Sequence, residues 1–82
     1  MFDISLSDKA KEQLAKLPIE IKNRIGAVIE RIRLNPYRST KRKEGTPYFI
    51  MRAGDYRAIL DIDSQKKIIY MLEVGHRKNI YG

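Results

Sequence analysis

Three arginines, Arg52, Arg57 and Arg77, stand at intervals that strands and a turn would bring together. Ala53-Gly54-Asp55 reads as a tight turn, because glycine is free to take a positive φ, so Arg52 and Arg57 flank one bend. Side chains alternate across a strand. Tyr48, Ile50 and Arg52 therefore share one side of their strand, with Phe49 and Met51 on the other. In the following strand Tyr56, Ala58, Leu60 and Ile62 form the apolar set, while Arg57, Ile59 and Asp61 face away. Arg77, just beyond the last strand, is placed to join the other two. Guanidiniums gathered on one surface repel each other, which makes little sense as a stability device. Around a phosphate they make good sense, because the guanidinium fork donates paired hydrogen bonds to its oxygens. The alternative is surface pairing with Asp55, Asp61 or Asp63, contacts worth about 0–1 kcal/mol each.

The charge of the whole chain agrees with an anionic partner. Among 82 residues, 17 Lys and Arg against 10 Asp and Glu leave a net charge of +7, a field that attracts polyanions. Part of it is clustered in Arg38, Lys41, Arg42 and Lys43, which read either as a solvated loop or as a contact to an RNA backbone. Tyr48 is a candidate stacking platform for a base. There is no cysteine and a single histidine, so a thiolate metal site is excluded and neither metal nor cofactor is expected. No apolar run approaches the roughly 20 residues that span a bilayer. Met1-Phe2-Asp3-Ile4 lacks the pattern of a signal peptide, which gives a cytoplasmic expectation. The length suits one domain over residues 1–82.

The elements that must hold these residues follow from periodicity. Phe2 to Leu6 alternates apolar and polar and predicts a half-buried strand. Ser7 is placed as an N-cap, with Asp8 near the positive end of the helix dipole. Ala10, Leu14 and Leu17 mark a short helix, which Pro18 interrupts while opening another. That second helix carries the stripe Ile21, Ile25, Val28, Ile29 and Ile32, turns Arg24 and its charged neighbours to water, and stops at Asn35-Pro36. Residues 37–46 have no period and read as a basic loop. Strands are expected over Tyr48–Arg52, Tyr56–Ile62 and Ile68–Val74, the last buried on both faces as a central strand and ended by Gly75. The expected fold is α+β: an N-terminal strand, a helical hairpin and an antiparallel three-stranded meander, with the helices on one face of the sheet.

The run Arg52-Ala53-Gly54-Asp55-Tyr56-Arg57, followed by Gly75-His76-Arg77 and then Tyr81, resembles the core signature of the RelE toxins of the RelE/ParE superfamily. Asn35-Pro36, Gly45-Thr46-Pro47-Tyr48-Phe49 and the early Ala10, Leu14, Leu17 helix extend the resemblance over essentially the whole chain. It implies the toxin of a type II toxin–antitoxin system: a metal-independent endoribonuclease that enters the ribosomal A site, cuts messenger RNA there and inhibits translation. It also implies a RelB-like antitoxin that binds the toxin as a hetero-oligomer. Carried over by position, Arg57 and Arg77 would hold the scissile phosphate with Arg52 in support, and Tyr81 would stack on a base or help move a proton. The chain departs from the bacterial RelE pattern, which has strand lysines where this sequence has Tyr48 and Ile50, and so matches an archaeal type of RelE. The general base is open: histidine is a residue type suited to proton transfer, but His76 differs from Arg77 in strand parity. Two other readings stay open, a ParE-like inhibitor of a topoisomerase that cuts nothing, and a catalytically weak relative that binds RNA or antitoxin.

Overall fold

The computed structural model describes residues 1–80. The chain runs β1 (Asp3–Leu6), α1 (Asp8–Ala15), α2 (Ile19–Leu34), β2 (Lys41–Arg42), β3 (Phe49–Ala53), β4 (Tyr56–Asp63), β5 (Ile68–His76) and α3 (Arg77–Ile80). The strands form one sheet in the order β1-β5-β4-β3-β2. The α+β expectation holds, with the helical hairpin packed on one face of the sheet.

Local chemistry sets the helix boundaries. Ser7 Oγ accepts the Ala10 N–H at 3.0 Å, which caps α1, and donates to the Leu72 carbonyl at 2.8 Å, which ties that cap to β5. The Pro18 carbonyl accepts the N–H groups of Ile21 and Lys22, both at 3.0 Å, so proline opens α2 without sacrificing an amide. Ahead of Pro36, Asn35 is extended at φ −155°, ψ 90°, and the helix ends there. Ile25, Val28 and Ile32 of α2 are buried against the sheet, where Met51, Leu60 and Met71 meet them. Full burial of a leucine-sized side chain contributes about 1.5–3 kcal/mol, so this layer dominates stability.

The structure corrects four local expectations. First, the basic loop contains β2, whose Lys41 and Arg42 pair with Ile50 and Phe49, so the meander gains an edge strand. Pairing is set by backbone amides, which residue periodicity over two positions cannot reveal. Second, β5 is not the central strand and is not buried on both faces. It lies between β4 and β1, and Ile69, Met71 and Val74 are buried while Ile68, Tyr70 and Leu72 are half-exposed. A register shift there opposes Leu60 to Met71 and Ile59 to Glu73. The extra residue lets Met71 and Val74, three apart, share the helix face. Third, β4 takes the centre, and its run Arg57 to Leu60 is buried throughout. Fourth, Gly75 does not end β5 but pairs with Arg57, and α3 follows directly at Arg77. β1 joins the sheet parallel to β5, from Asp3 opposite Ile68 to Leu6 opposite Met71.

Candidate nucleic-acid interface

The tip of the β3–β4 hairpin is where the arginines meet. Arg52 and Arg57 are paired across the two strands, and Gly75 of β5 is paired with Arg57 on the other side. Their neighbours Met51, Ala53, Tyr56 and Ala58 pack with the core under the helices, so Arg52 and Arg57 belong to the helix-free face. The Arg77 N–H donates to the Asp55 carbonyl at 2.8 Å, which anchors the start of α3 at the same turn. The ion pairs among the described residues are Lys9–Glu73 and Arg33–Glu30. The surface pairing with Asp55, Asp61 or Asp63 is therefore not formed.

The three are not equivalent. Arg52 and Arg77 are exposed, whereas Arg57 is only 7% exposed. Its Nη1 donates to the carbonyls of Gly54 at 2.8 Å and Tyr56 at 3.0 Å, so the side chain folds back along its own hairpin. Its Nε is buried with no partner. A buried guanidinium without a carboxylate, and with an unsatisfied donor, is costly to keep. The burial has a sequence cause. Gly75 lacks a side chain, and a Cβ built there would stand 3.3 Å from Ile80 Cγ1. That space lets α3 fold back over β4 and β5, with Ile80 buried against the helix-free face. Ile50 and Ile59, paired across β3 and β4, are buried on this face as well. The face expected to be open is thus partly closed by apolar side chains.

Beside the arginines the basic segment forms two adjoining grooves along the sheet edge. One, of about 290 Å³, is lined by Arg38, Ser39, Thr40, Lys41, Ile50 and Arg52. The other, of about 490 Å³, is lined by Lys41, Arg42, Lys43, Glu44 and Ile50. The register places Lys41 opposite Ile50, hence on the same face as Arg52, while Arg42 opposes Phe49. The loop beyond β2 is knit together by Thr46, whose Oγ1 donates to the Lys43 carbonyl at 2.8 Å and accepts the Tyr48 N–H at 3.1 Å. Tyr48 is half-buried at the base of this turn.

His76 stands apart from the arginines. It is paired with Tyr56 and meets that ring edge-on, with centroids 5.5 Å apart, on the side of the sheet that faces the helices. Its Nδ1 accepts the Lys78 N–H at 3.2 Å and so caps α3. Tyr81 lies outside the described residues. One arginine assigned to water comes to the tip: the Arg24 guanidinium of α2 packs against Gly54. Helical periodicity places Arg24 on the solvent side of α2 and carries no information about which loop lies beyond it.

The helix-covered sheet thus presents arginines outside any ion pair, among the described residues, beside a basic edge groove, an electropositive surface of the kind that attracts anions. Residues 4–81 match the family described as ParE toxin of type II toxin-antitoxin system, parDE. The toxin–antitoxin complex RelBE2 from Mycobacterium tuberculosis contains a chain 30% identical over 93% of this chain and 98% of its own, with a TM-score of 0.76. The RelB–RelE complex from Methanococcus jannaschii gives 27% identity, coverage of 93% of both chains and a TM-score of 0.73. The archaeal RelE–RelB complex from Pyrococcus horikoshii OT3, at 21% identity, shares the fold with a TM-score of 0.82 over 95% of this chain and 97% of that one. No curated protein sequence matches the chain. The chain belongs to the RelE/ParE superfamily of type II toxin–antitoxin toxins, by way of the ParE toxin family. Among the described residues no helix is long and apolar enough to cross a membrane.

Proposed function

We propose that this toxin is a metal-independent endoribonuclease that cuts messenger RNA in the ribosomal A site. The observation that carries the reading is the gathering of Arg52, Arg57 and Arg77 at one hairpin tip with no carboxylate partner among the described residues. In the reaction the ribose 2′-hydroxyl gives up its proton as its oxygen bonds to the adjacent phosphorus, the bond to the 5′-oxygen breaks and that oxygen takes up a proton, and a 2′,3′-cyclic phosphate remains. Negative charge builds on the phosphate oxygens on the way, and fixed cations placed there lower the barrier. Arg52 and Arg77 are the exposed members and would grip the phosphate, while Arg57 stiffens the turn and adds its positive field from behind. Lys41, Arg42 and Lys43 would follow the RNA backbone along the edge groove, with Tyr48, whose carbonyl accepts the Lys43 N–H, offering a base its ring. His76, whose Nδ1 accepts the Lys78 N–H, would hold α3 and through it Arg77 rather than move a proton. Tyr81 keeps the base-stacking or proton-moving role that the resemblance gives it.

The partner in this reading is a RelB-like antitoxin, in keeping with the RelB–RelE complexes among the structural relatives. Its acidic segments would cover the arginine face, where charge complementarity is strongest. A second surface suits a helix of the same partner. The groove between α1 and α2, about 410 Å³, is lined by Leu14, Ala15, Ile25 and Ile29 and rimmed by Lys11 and Lys22. An amphipathic acidic helix meets both its apolar floor and its basic rim.

A toeprint assay on translating ribosomes tests the activity. Codon-specific cleavage that Arg77→Ala abolishes is the expected result. Intact messenger together with blocked DNA supercoiling would establish the second reading, a topoisomerase inhibitor. That reading has two observations in its favour: the matching family is that of ParE toxins, and Tyr48 and buried Ile50 stand where bacterial RelE has lysines.

A further inference from the structure

We infer that Arg24 of α2 is a further RNA-binding residue, contacting a phosphate next to the one held by Arg52 and Arg77; the inference rests on the ribonuclease reading. Gly54 sits at φ +62°, and a Cβ built on it would lie 2.5 Å from Arg24 Nη1. The turn needs glycine for its backbone, and the missing side chain leaves the space that the guanidinium occupies. On its other side the Gly54 carbonyl receives Arg57 Nη1 at 2.8 Å. Covalent geometry then limits the two guanidiniums to within about 9 Å of each other. Arg24 therefore adds its charge at the tip, beside the field that Arg57 supplies from behind Arg52 and Arg77. Arg24 is exposed and takes no part in the ion pairs among the described residues, Lys9–Glu73 and Arg33–Glu30.

An arginine brought against the hairpin tip by a glycine, beside a second cation and in no ion pair among the described residues, is arranged for an anion that arrives from outside. A single strand gripped at the tip by Arg52 and Arg77 runs along the edge groove in one direction and past Arg24 in the other. The sugar–phosphate backbone, not base identity, is what Arg24 recognises.

The test is binding of the full chain to a short, fluorescein-labelled, 2′-O-methylated single-stranded RNA, which cannot be cut, measured by anisotropy at several salt concentrations. Arg24→Ala is expected to weaken binding about three- to tenfold and to lower the slope of log K against log salt by about 0.7, the value of one single-strand phosphate contact. Arg24→Lys should restore the slope, and Arg31→Ala, on the exposed side of the same helix, should leave it unchanged. Thermal denaturation run alongside separates binding from bracing. If Arg24→Ala keeps the slope and lowers Tm, Arg24 is only a brace for the turn and the inference fails. If Arg52→Ala also keeps the slope, the RNA reading itself fails; if Arg52→Ala lowers it and Arg24→Ala does not, only the role of Arg24 falls.

Discussion

Arg52 and Arg57 are paired across the β3–β4 hairpin on the same face of the sheet, yet Arg52 is exposed and Arg57 is only 7% exposed. The difference arises one strand further on. Gly75 next to Arg57 leaves room for Ile80, and α3 closes over that part of the face, whereas Arg52 looks toward the edge groove. The two residues therefore differ in what they can do: Arg52 is open to a ligand, while Arg57 holds the turn.

Arg57→Met should separate stability from function. It removes a buried charge that has no acid beside it and a donor that has no acceptor, at the loss of two hydrogen bonds to carbonyls. Replacing such charges with apolar groups is often neutral or stabilising by about 1–4 kcal/mol. The expectation is urea-unfolding stability equal to or above that of the parent, together with loss of toxicity. A loss above about 2 kcal/mol would show that the two carbonyl bonds outweigh the buried charge.

At Gly54, alanine meets both a left-handed backbone and the Arg24 guanidinium, while at Gly45 (φ +76°) a Cβ would enter open space. The left-handed conformation costs an L-residue about 1–2 kcal/mol. Gly45→Ala should lose about that much and Gly54→Ala more, because Arg24 must also be displaced. Equal losses in chemical denaturation would mean that the Arg24 contact is easily given up.

Ser7→Ala removes the cap of α1 and a bond to the Leu72 carbonyl in one step. A cap is worth about 1 kcal/mol and a buried hydrogen bond about the same, so a loss near 2 kcal/mol is expected. Retention of more than half of it in Ser7→Gly would identify the cap as the smaller contribution.

His76→Asn and His76→Ala distinguish two roles for the histidine. An asparagine oxygen can accept the Lys78 N–H as Nδ1 does, so the Asn variant should keep toxicity and the Ala variant should lose part of it. Were the imidazole to carry a proton in the reaction, both variants would be inactive.

Much of the scaffold was legible in the residues themselves. Ser7, Pro18 and Asn35-Pro36 act through local backbone chemistry, and the α2 stripe repeats often enough to define a face. Strand parity likewise placed Arg52 and Arg57 on one side. What escaped depends on partners distant in sequence. β2 exists because Lys41 and Arg42 find β3, and α3 because His76 caps it and Gly75 admits Ile80. The burial of Arg57 and the approach of Arg24 to Gly54 are consequences of that packing, which alternation along one strand does not encode.

The parallel pairing of β1 with β5 has a bearing on when the protein becomes active. Ser7 and Leu72, joined by a hydrogen bond, are 65 residues apart, and Asp3 to Leu6 pair only with Ile68 to Met71. Contacts this remote in sequence form late and slow the search for the native state. During synthesis the first strand must wait, unpaired, until Ile68 to Met71 have left the exit tunnel. Arg77 follows β5 immediately, so a nascent chain cannot complete its arginine cluster before that strand has emerged. Chain order alone keeps the cluster incomplete until β5 is free to pair with β4.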